Sequence, residues 1–206
     1  MPVDSRLALL ERANALRLAA DALRRGGIVA FPTETVYGLA VRDGDRAALR
    51  RLRRLKQREA DKPFQILLSS RCAAFRRCPG MCRAGRRLAE AFWPGPLTVV
   101  AKSASGHWLG LRVPDHAVAR SLARRVRGLT ATSANVAGGR PARTGREVLE
   151  TFGDRVDLIL DAGKIAAGVP SSVVRVSDEG WELLRTGALT AREIQVVLGD
   201  APLRKG

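Results

Sequence analysis

Apolar positions recur along this chain with two periods, one helical and one extended. Leu7, Leu10, Ala13, Leu16, Ala20 and Leu23 return at helical spacing, and Gly26-Gly27 supplies the residue type found just past a helix end. An amphipathic helix is therefore predicted over Ser5 to Arg25. A second is predicted over Asp45 to Lys56, where Leu49, Leu52 and Leu55 form an apolar stripe against a face of arginines. Arg83 to Trp93, Val118 to Arg127, Glu147 to Phe152 and Ala191 to Leu198 complete the predicted helices. Short apolar runs predict strands at Gly27 to Ala30, Phe64 to Leu68, Leu97 to Val100 and Leu109 to Val113. Four more are predicted at Leu129 to Thr132, Leu158 to Leu160, Ser172 to Val176 and Trp181 to Leu184.

Strands interleaved with helices, with no linker or internal repeat, imply one α/β domain over 1–206. Several neighbouring strands are joined by connections too short for a parallel crossover. The expectation is an open, twisted, mixed sheet with flanking helices. At 206 residues the chain can bury one substantial core, and 46% hydrophobic with 27% charged residues is a globular composition. No apolar run approaches the roughly 20 residues that a membrane span needs. Met1 to Glu11 lacks the basic, apolar, small-residue order of a signal peptide, so a cytoplasmic location without membrane contact is expected.

Charge changes the picture. Lys and Arg number 36 against 20 Asp and Glu, a net charge of +16 concentrated between Arg42 and Arg58, Arg71 and Arg87, and Arg112 and Arg127. Such a surface attracts polyanions, whether nucleotide, RNA or anionic lipid. Codon bias toward Arg, Ala and Gly explains the same composition, and few aromatic residues are available to stack bases. Cys72, Cys78 and Cys82 are odd in number and lack a Cys-x-x-Cys pair, and His107 and His116 form no metal signature, so no metal site is expected. His116, after Pro114-Asp115 at a helix start, reads as a surface residue rather than a base.

The usual nucleotide and nucleophile motifs are missing: there is no phosphate-binding G-x-x-x-x-G-K-[ST], no G-x-G-x-x-G and no G-x-S-x-G. Four polar segments instead fall at strand ends: Thr33 to Tyr37, Lys56 to Lys62, Ser133 to Asn135 with Thr144, and Ser171-Ser172. Arg112 and Arg185, each placed on a predicted strand, add guanidinium groups that bind carboxylate or phosphate as a planar fork. Singly, each has a structural explanation. Ser133 and Asn135 suit a turn or helix cap, Lys56 and Arg58 the solvated end of a helix, and Arg185 a surface position. Together they suit a small polar substrate beside a polyphosphate.

In order along the chain stand F-P-T-E-T-V-Y-G-L at 31–39, L-K-x-R-x-x-x-K-P at 55–63 and W-P-G-P-L-T-V-V at 93–100. They are followed by L-R-V-P-D-H at 111–116, T-S-A-N at 132–135, P-S-S-V-V at 170–174 and L-R-T-G-A at 184–188. This combination resembles the YrdC/TsaC family, the L-threonylcarbamoyl-AMP synthases that begin formation of the t6A modification at position 37 of tRNA. The motif-bearing part is about 15–199, and the chain resembles the short, single-domain form. Departures are Glu59 for a common Pro, Ala137 for a common Ser, Ser172 for the usual Thr and Arg175 where an acidic residue is common.

The resemblance implies a YrdC-like fold and a nucleotidyltransferase that converts L-threonine, bicarbonate and ATP into threonylcarbamoyl-AMP and pyrophosphate. It implies Mg²⁺ accompanying ATP, and delivery of the labile product to a threonylcarbamoyl transferase complex. Carried over by position, Thr35, Arg112, Ser133 and Ser171 are candidates for threonine, with Arg112 facing its carboxylate. Lys56, Arg58, Lys62, Asn135, Thr144 and Arg185 are candidates for ATP, Lys56 and Arg58 also for catalysis, and Thr33 and Tyr37 for shaping the pocket. The main rival is a basic module of the same fold that binds double-stranded RNA or ribosomal RNA without catalysis, and tRNA or double-stranded RNA is a candidate partner in either case. A distant third is the carbamoyl-transfer domain of hydrogenase maturation proteins, whose acylphosphatase and zinc-finger segments are not visible in this chain.

Overall fold

The computed structural model describes residues 7–9, 14–57, 63–199 and 201–203. Ten strands lie among them: β1 Leu7–Leu9, β2 Val29–Phe31, β3 Gly38–Arg42, β4 Gln65–Leu67, β5 Leu97–Lys102, β6 Trp108–Arg112, β7 Leu129–Ser133, β8 Leu158–Asp161, β9 Ser172–Ser177 and β10 Gly180–Arg185. The α-helices are α1 Ala15–Arg24, α2 Arg46–Leu55, α3 Arg71–Arg77, α4 Arg83–Phe92, α5 Ala117–Val126, α6 Gly145–Phe152 and α7 Ala191–Leu198.

All ten strands form one sheet in the order β1-β8-β2-β3-β7-β4-β6-β5-β9-β10. β8 runs parallel to both β1 and β2, β4 to β6, and β5 to β9, while the remaining pairs are antiparallel. The mixed sheet expected from the short connections is present. Helix starts follow local chemistry: Asp45, Ser70 and Thr144 each accept a hydrogen bond from a backbone amide three residues on, and Thr190 with Glu193 completes a capping box.

The predicted helix over Ser5 to Arg25 is corrected. Leu7–Leu9 is a strand in parallel register with Ile159–Asp161, and the helix begins only at Ala15. Three apolar residues in a row satisfy either period, and an open sheet edge rewards the extended one. The predicted helix's residues 5, 6 and 10–13 lie outside the described residues. β3 and α3 were not expected. β3 is only five residues long and follows the polar loop directly. Its alternate side chains enter opposite cores, Ala40 one and Leu39 and Val41 the other.

The sheet's two faces are unequally covered. On one face, Ile28, Ala30, Leu39 and Val41 pack under α2 and α6, and farther along Ile66, Leu97, Val99, Leu111, Val174, Val176 and Trp181 pack under α3, α4 and α7. On the other face, α1 and α5 bury Val29, Phe31, Ala40, Leu67, Leu129, Ala131 and Leu160. Those positions belong to β2, β3, β4, β7 and β8. The opposite-facing residues of β5, β6, β9 and β10 appear in none of these cores.

The β10–α7 connection is tied to the other, helix-covered face. Ser172, fully buried at the start of β9, donates its hydroxyl to the Leu189 carbonyl at 2.6 Å and accepts from Gly187 N at 2.9 Å and Leu189 N at 3.0 Å. Gly187 passes so close that a Cβ there would stand 2.3 Å from the Pro170 carbonyl oxygen. A Ser172→Ala variant leaves these buried groups unpaired. It should lose about 2 kcal/mol of unfolding free energy, read from the urea midpoint, whereas Ser172→Thr keeps the hydroxyl and should lose little. Equal loss in both variants would contradict the hydrogen-bonding account.

Candidate active site

The uncovered half of the sheet is the floor of a cavity of about 890 Å³. Strand alternation sends one set of side chains toward it: Gln65 and Leu67 of β4, Thr98 and Val100 of β5, Trp108, Gly110 and Arg112 of β6, Val173 and Arg175 of β9, and Leu184 of β10. Its walls come from Thr33, Thr35, Val36 and Tyr37, from Thr132 and Ser133, and from Pro170 and Ser171. Arg112, Arg175 and Arg185 line it, and no Asp or Glu does among the described residues. Low-dielectric walls carrying one sign of charge select an anionic ligand.

Arg112 is the most constrained of the three. It is 3% exposed at the end of β6. Its Nε donates to the Gly95 carbonyl at 3.2 Å, and its Nη2 donates to Glu34 Oε1 at 2.8 Å and Thr35 Oγ1 at 3.0 Å. Gly95 brings its carbonyl there because it has no side chain: a Cβ would stand 2.4 Å from the Phe92 carbonyl oxygen. Nη1 makes no hydrogen bond to any described residue. A guanidinium fixed through two nitrogens, with the third beside a cavity, is prepared to take a carboxylate.

The Thr33–Tyr37 loop is internally bonded. Thr33 Oγ1 donates to the Val36 carbonyl at 2.6 Å and lies 2.9 Å from Thr35 Oγ1, which leaves Thr35 beside Arg112. The buried Tyr37 hydroxyl sits 2.9 Å from both Asp161 Oδ1 and the Gly163 carbonyl and accepts from Ala162 N at 2.9 Å. Burial, with Asp161 beside it, pushes this phenol far above its ordinary pKa, so it stays protonated. Across the cavity, Arg185 Nε and Nη2 reach the Ser171 carbonyl at 3.1 and 2.8 Å, and Ser171 Oγ lies 3.2 Å from Thr98 Oγ1.

Lys56 loses the plain alternative that its position at the end of an arginine-rich helix left open. It is 5% exposed, not the solvated end of a helix. Its ammonium donates to the Ser133 carbonyl at 2.9 Å, to Asn135 Oδ1 at 3.0 Å and to the Asn135 carbonyl. Asn135 Oδ1 also accepts from Ser133 Oγ at 2.6 Å, and its Nδ2 donates to Val136 and Gly139 carbonyls. Lys56 thus anchors the loop that presents Ser133, with a positive charge one layer behind the cavity wall.

Thr35, Arg112, Ser133, Ser171 and Arg185 line the cavity together, and Lys56 and Asn135 stand immediately behind Ser133. Thr144 is the N-cap of α6, bonded to Glu147 N, and does not line the cavity. Arg58 and Lys62 lie outside the described residues. Sequence reasoning missed the floor: Thr98, Gly110, Trp108 and Arg175. Small or polar residues alternating with Val99 and Leu111 were the available signal. Lys102 Nζ and the Arg175 guanidinium stand 5.3 and 5.4 Å from the Trp108 ring centroid, and Arg175 also pairs with Glu182 at 3.1 Å. Among the described residues no cluster of three or more His, Cys, Asp or Glu side chains is placed to hold a metal ion, and no helix is long and apolar enough to cross a membrane.

A mixed sheet left half bare over a cationic cavity defines a class of single-sheet α/β proteins, and comparison with known proteins gives it a family. The Sua5/YciO/YrdC family model, described as telomere recombination, matches residues 21–187, and the chain belongs to this family. It is 35% identical to the threonylcarbamoyl-AMP synthase of Pyrococcus abyssi over 90% of this chain and 57% of that protein. It is also 35% identical to a putative threonylcarbamoyl-AMP synthase of Mycobacterium leprae, over 93% of this chain and 91% of the relative. The crystal structure of Pyrococcus abyssi Sua5 complexed with L-threonine superposes with a TM-score of 0.85 at 33% identity, covering 92% of this chain and 58% of that one. The chain therefore spans somewhat over half of the Pyrococcus protein.

The anchoring role of Lys56 is testable without a ligand. Lys56→Ala should lower unfolding free energy by about 3 kcal/mol, because three oxygens lose a charged donor. An unchanged urea midpoint would contradict this role.

Proposed function

We propose that this protein is an L-threonylcarbamoyladenylate synthase, forming threonylcarbamoyl-AMP and pyrophosphate from L-threonine, bicarbonate and ATP for the t6A modification of tRNA. The observation that carries the reading is Arg112: a buried guanidinium held by Gly95, Glu34 and Thr35 beside a cavity whose described lining has no carboxylate. That is a seat for an amino-acid carboxylate. The similarity to a protein crystallised with L-threonine supports the same seat.

The chemistry needs no protein nucleophile. Threonine's amine and bicarbonate condense to a carbamate, and a carbamate oxygen displaces pyrophosphate at the α-phosphorus of ATP. The protein's part is to hold three anionic groups in line and to neutralise charge that develops between them. Arg112, Thr35, Ser133 and Ser171 orient threonine. Arg185 meets the nucleotide from the opposite wall, and Lys56 with Asn135 supports it from behind Ser133. Arg58 and Lys62 complete the phosphate contacts in this reading, with Thr144 a peripheral contributor. Mg²⁺ arrives as part of the ATP substrate, held on phosphate oxygens and water. The product passes to a transferase complex in the cytoplasm.

Purified protein with ATP, Mg²⁺ and bicarbonate should release pyrophosphate only when L-threonine is present, and omission of bicarbonate should abolish the release. Arg58→Ala should slow turnover roughly 10²–10³-fold. No release, together with RNA binding that falls steeply with salt, would replace the enzyme by an RNA-binding module.

A further inference from the structure

Two buried polar atoms have no hydrogen-bond partner among the described residues: Oε2 of Glu34, the partner of Arg112, and Nδ1 of His116. Buried polar atoms are nearly always paired, so two of them in one region call for a cause. Neither residue lines the cavity. Glu34 is tied to the site through its other oxygen, which accepts from Arg112 Nη2 at 2.8 Å. His116 is the residue just before α5 and makes no capping bond with its side chain.

Charges act on the imidazole from two sides, its own segment and the Thr33–Tyr37 loop. On its own side, Asp115 and Arg120 are paired with each other at 2.9 Å, and Arg120 also donates to the Pro114 carbonyl at 3.0 Å. On β6, Arg112 is paired with Glu34. From the Thr33–Tyr37 loop, the negative charge of Glu34 favours the protonated imidazole. An ionised carboxylate oxygen is an acceptor, and so is Nδ1 when the imidazole is neutral with its proton on Nε2. One added proton converts Nδ1 into a donor and gives the carboxylate a cation to face.

We propose that Glu34 and His116 are positioning residues for Arg112, which couple uptake of one proton at His116 to binding of the threonine carboxylate. The proposal rests on the threonine reading of the cavity. With the carboxylate seat empty, Arg112 and Glu34 neutralise each other. When an anionic ligand takes the free side of Arg112, Glu34 is less well compensated and holds a proton on His116 more strongly. By linkage, the protonated pair binds the carboxylate more tightly. Burial lowers the His116 pKa from its usual 6.5, so in the free protein the proton is taken up as pH falls below that value. The liganded state holds more protons, so affinity rises as pH falls. Threonine keeps its own carboxylate and ammonium charges between pH 5.5 and 7, so it adds no titration of its own.

The test is calorimetric titration of L-threonine at pH 5.5 and pH 7, with imidazole NMR of the free protein, which has only two histidines. Wild type should bind about fivefold or more tightly at pH 5.5. Glu34→Gln retains an oxygen for Arg112 and supplies an amide donor toward His116, and should make the affinity independent of pH. His116→Gln should do the same. By NMR, Glu34→Gln should lower the His116 pKa in the absence of any ligand. A pH-independent wild-type affinity, pH dependence retained in Glu34→Gln and His116→Gln, or an unaltered His116 titration would each overturn the proposal. If the NMR response appears but threonine binds at neither pH, the threonine reading fails, and the coupling to its carboxylate falls with it.

Discussion

The site depends on an imbalance of cover. Ten strands in one sheet present two long faces, and a sheet face not packed against another layer must be solvated or filled by ligand. α2, α6, α3, α4 and α7 pack along one face from β8 to β10, whereas α1 and α5 reach only the region from β8 to β4 on the other. What remains bare on β5, β6, β9 and β10 is floor rather than core. Its composition matches that role. Thr98, Gly110, Arg112 and Arg175 stand where continued helix cover would require Val or Leu.

From that floor the rest of the site follows by attachment. A cation as deeply buried as Arg112 is tolerable only with fixed partners. Those partners, Gly95, Glu34 and Thr35, come from two loops far apart in sequence, so pairing Arg112 also brings the loops together. Lys56 ties the end of α2 to the Ser133–Asn135 turn, and on the opposite wall Arg185 ties β10 to Ser171. The cations thus assemble the cavity as well as charging it. Removing one is expected to disturb geometry and affinity together, and the two effects separate only when stability is measured beside binding.

Much of this was legible in the sequence. Single-period apolar runs such as Asp45 to Lys56 and Ala191 to Leu198 gave helices within a residue or so of those observed, because one stripe of leucines or valines admits one packing. Leu7–Leu9 failed because three apolar residues fit either period, and the partner that decided it, β8, lies about 150 residues away. Five candidates, Thr35, Arg112, Ser133, Ser171 and Arg185, line one cavity. The role of Lys56 was not legible: a basic residue ending an arginine-rich helix looks solvated, and only the fold brings the carbonyls of residues 133 and 135 to it. Glu34 and His116 were hidden for the same reason. Each looks like an ordinary polar loop residue until Arg112 is placed beside Glu34.

In the proposed function, Arg112 recognises the carboxylate of the amino-acid substrate. This recognition is tested most directly by titrating the purified protein with L-threonine and with L-threoninol, which keeps the amine and both carbon stereocentres but replaces the carboxylate by a hydroxymethyl group. Threonine should bind at least about 100-fold more tightly, the scale of a lost charge-assisted contact. Equal affinity for the two compounds would contradict it.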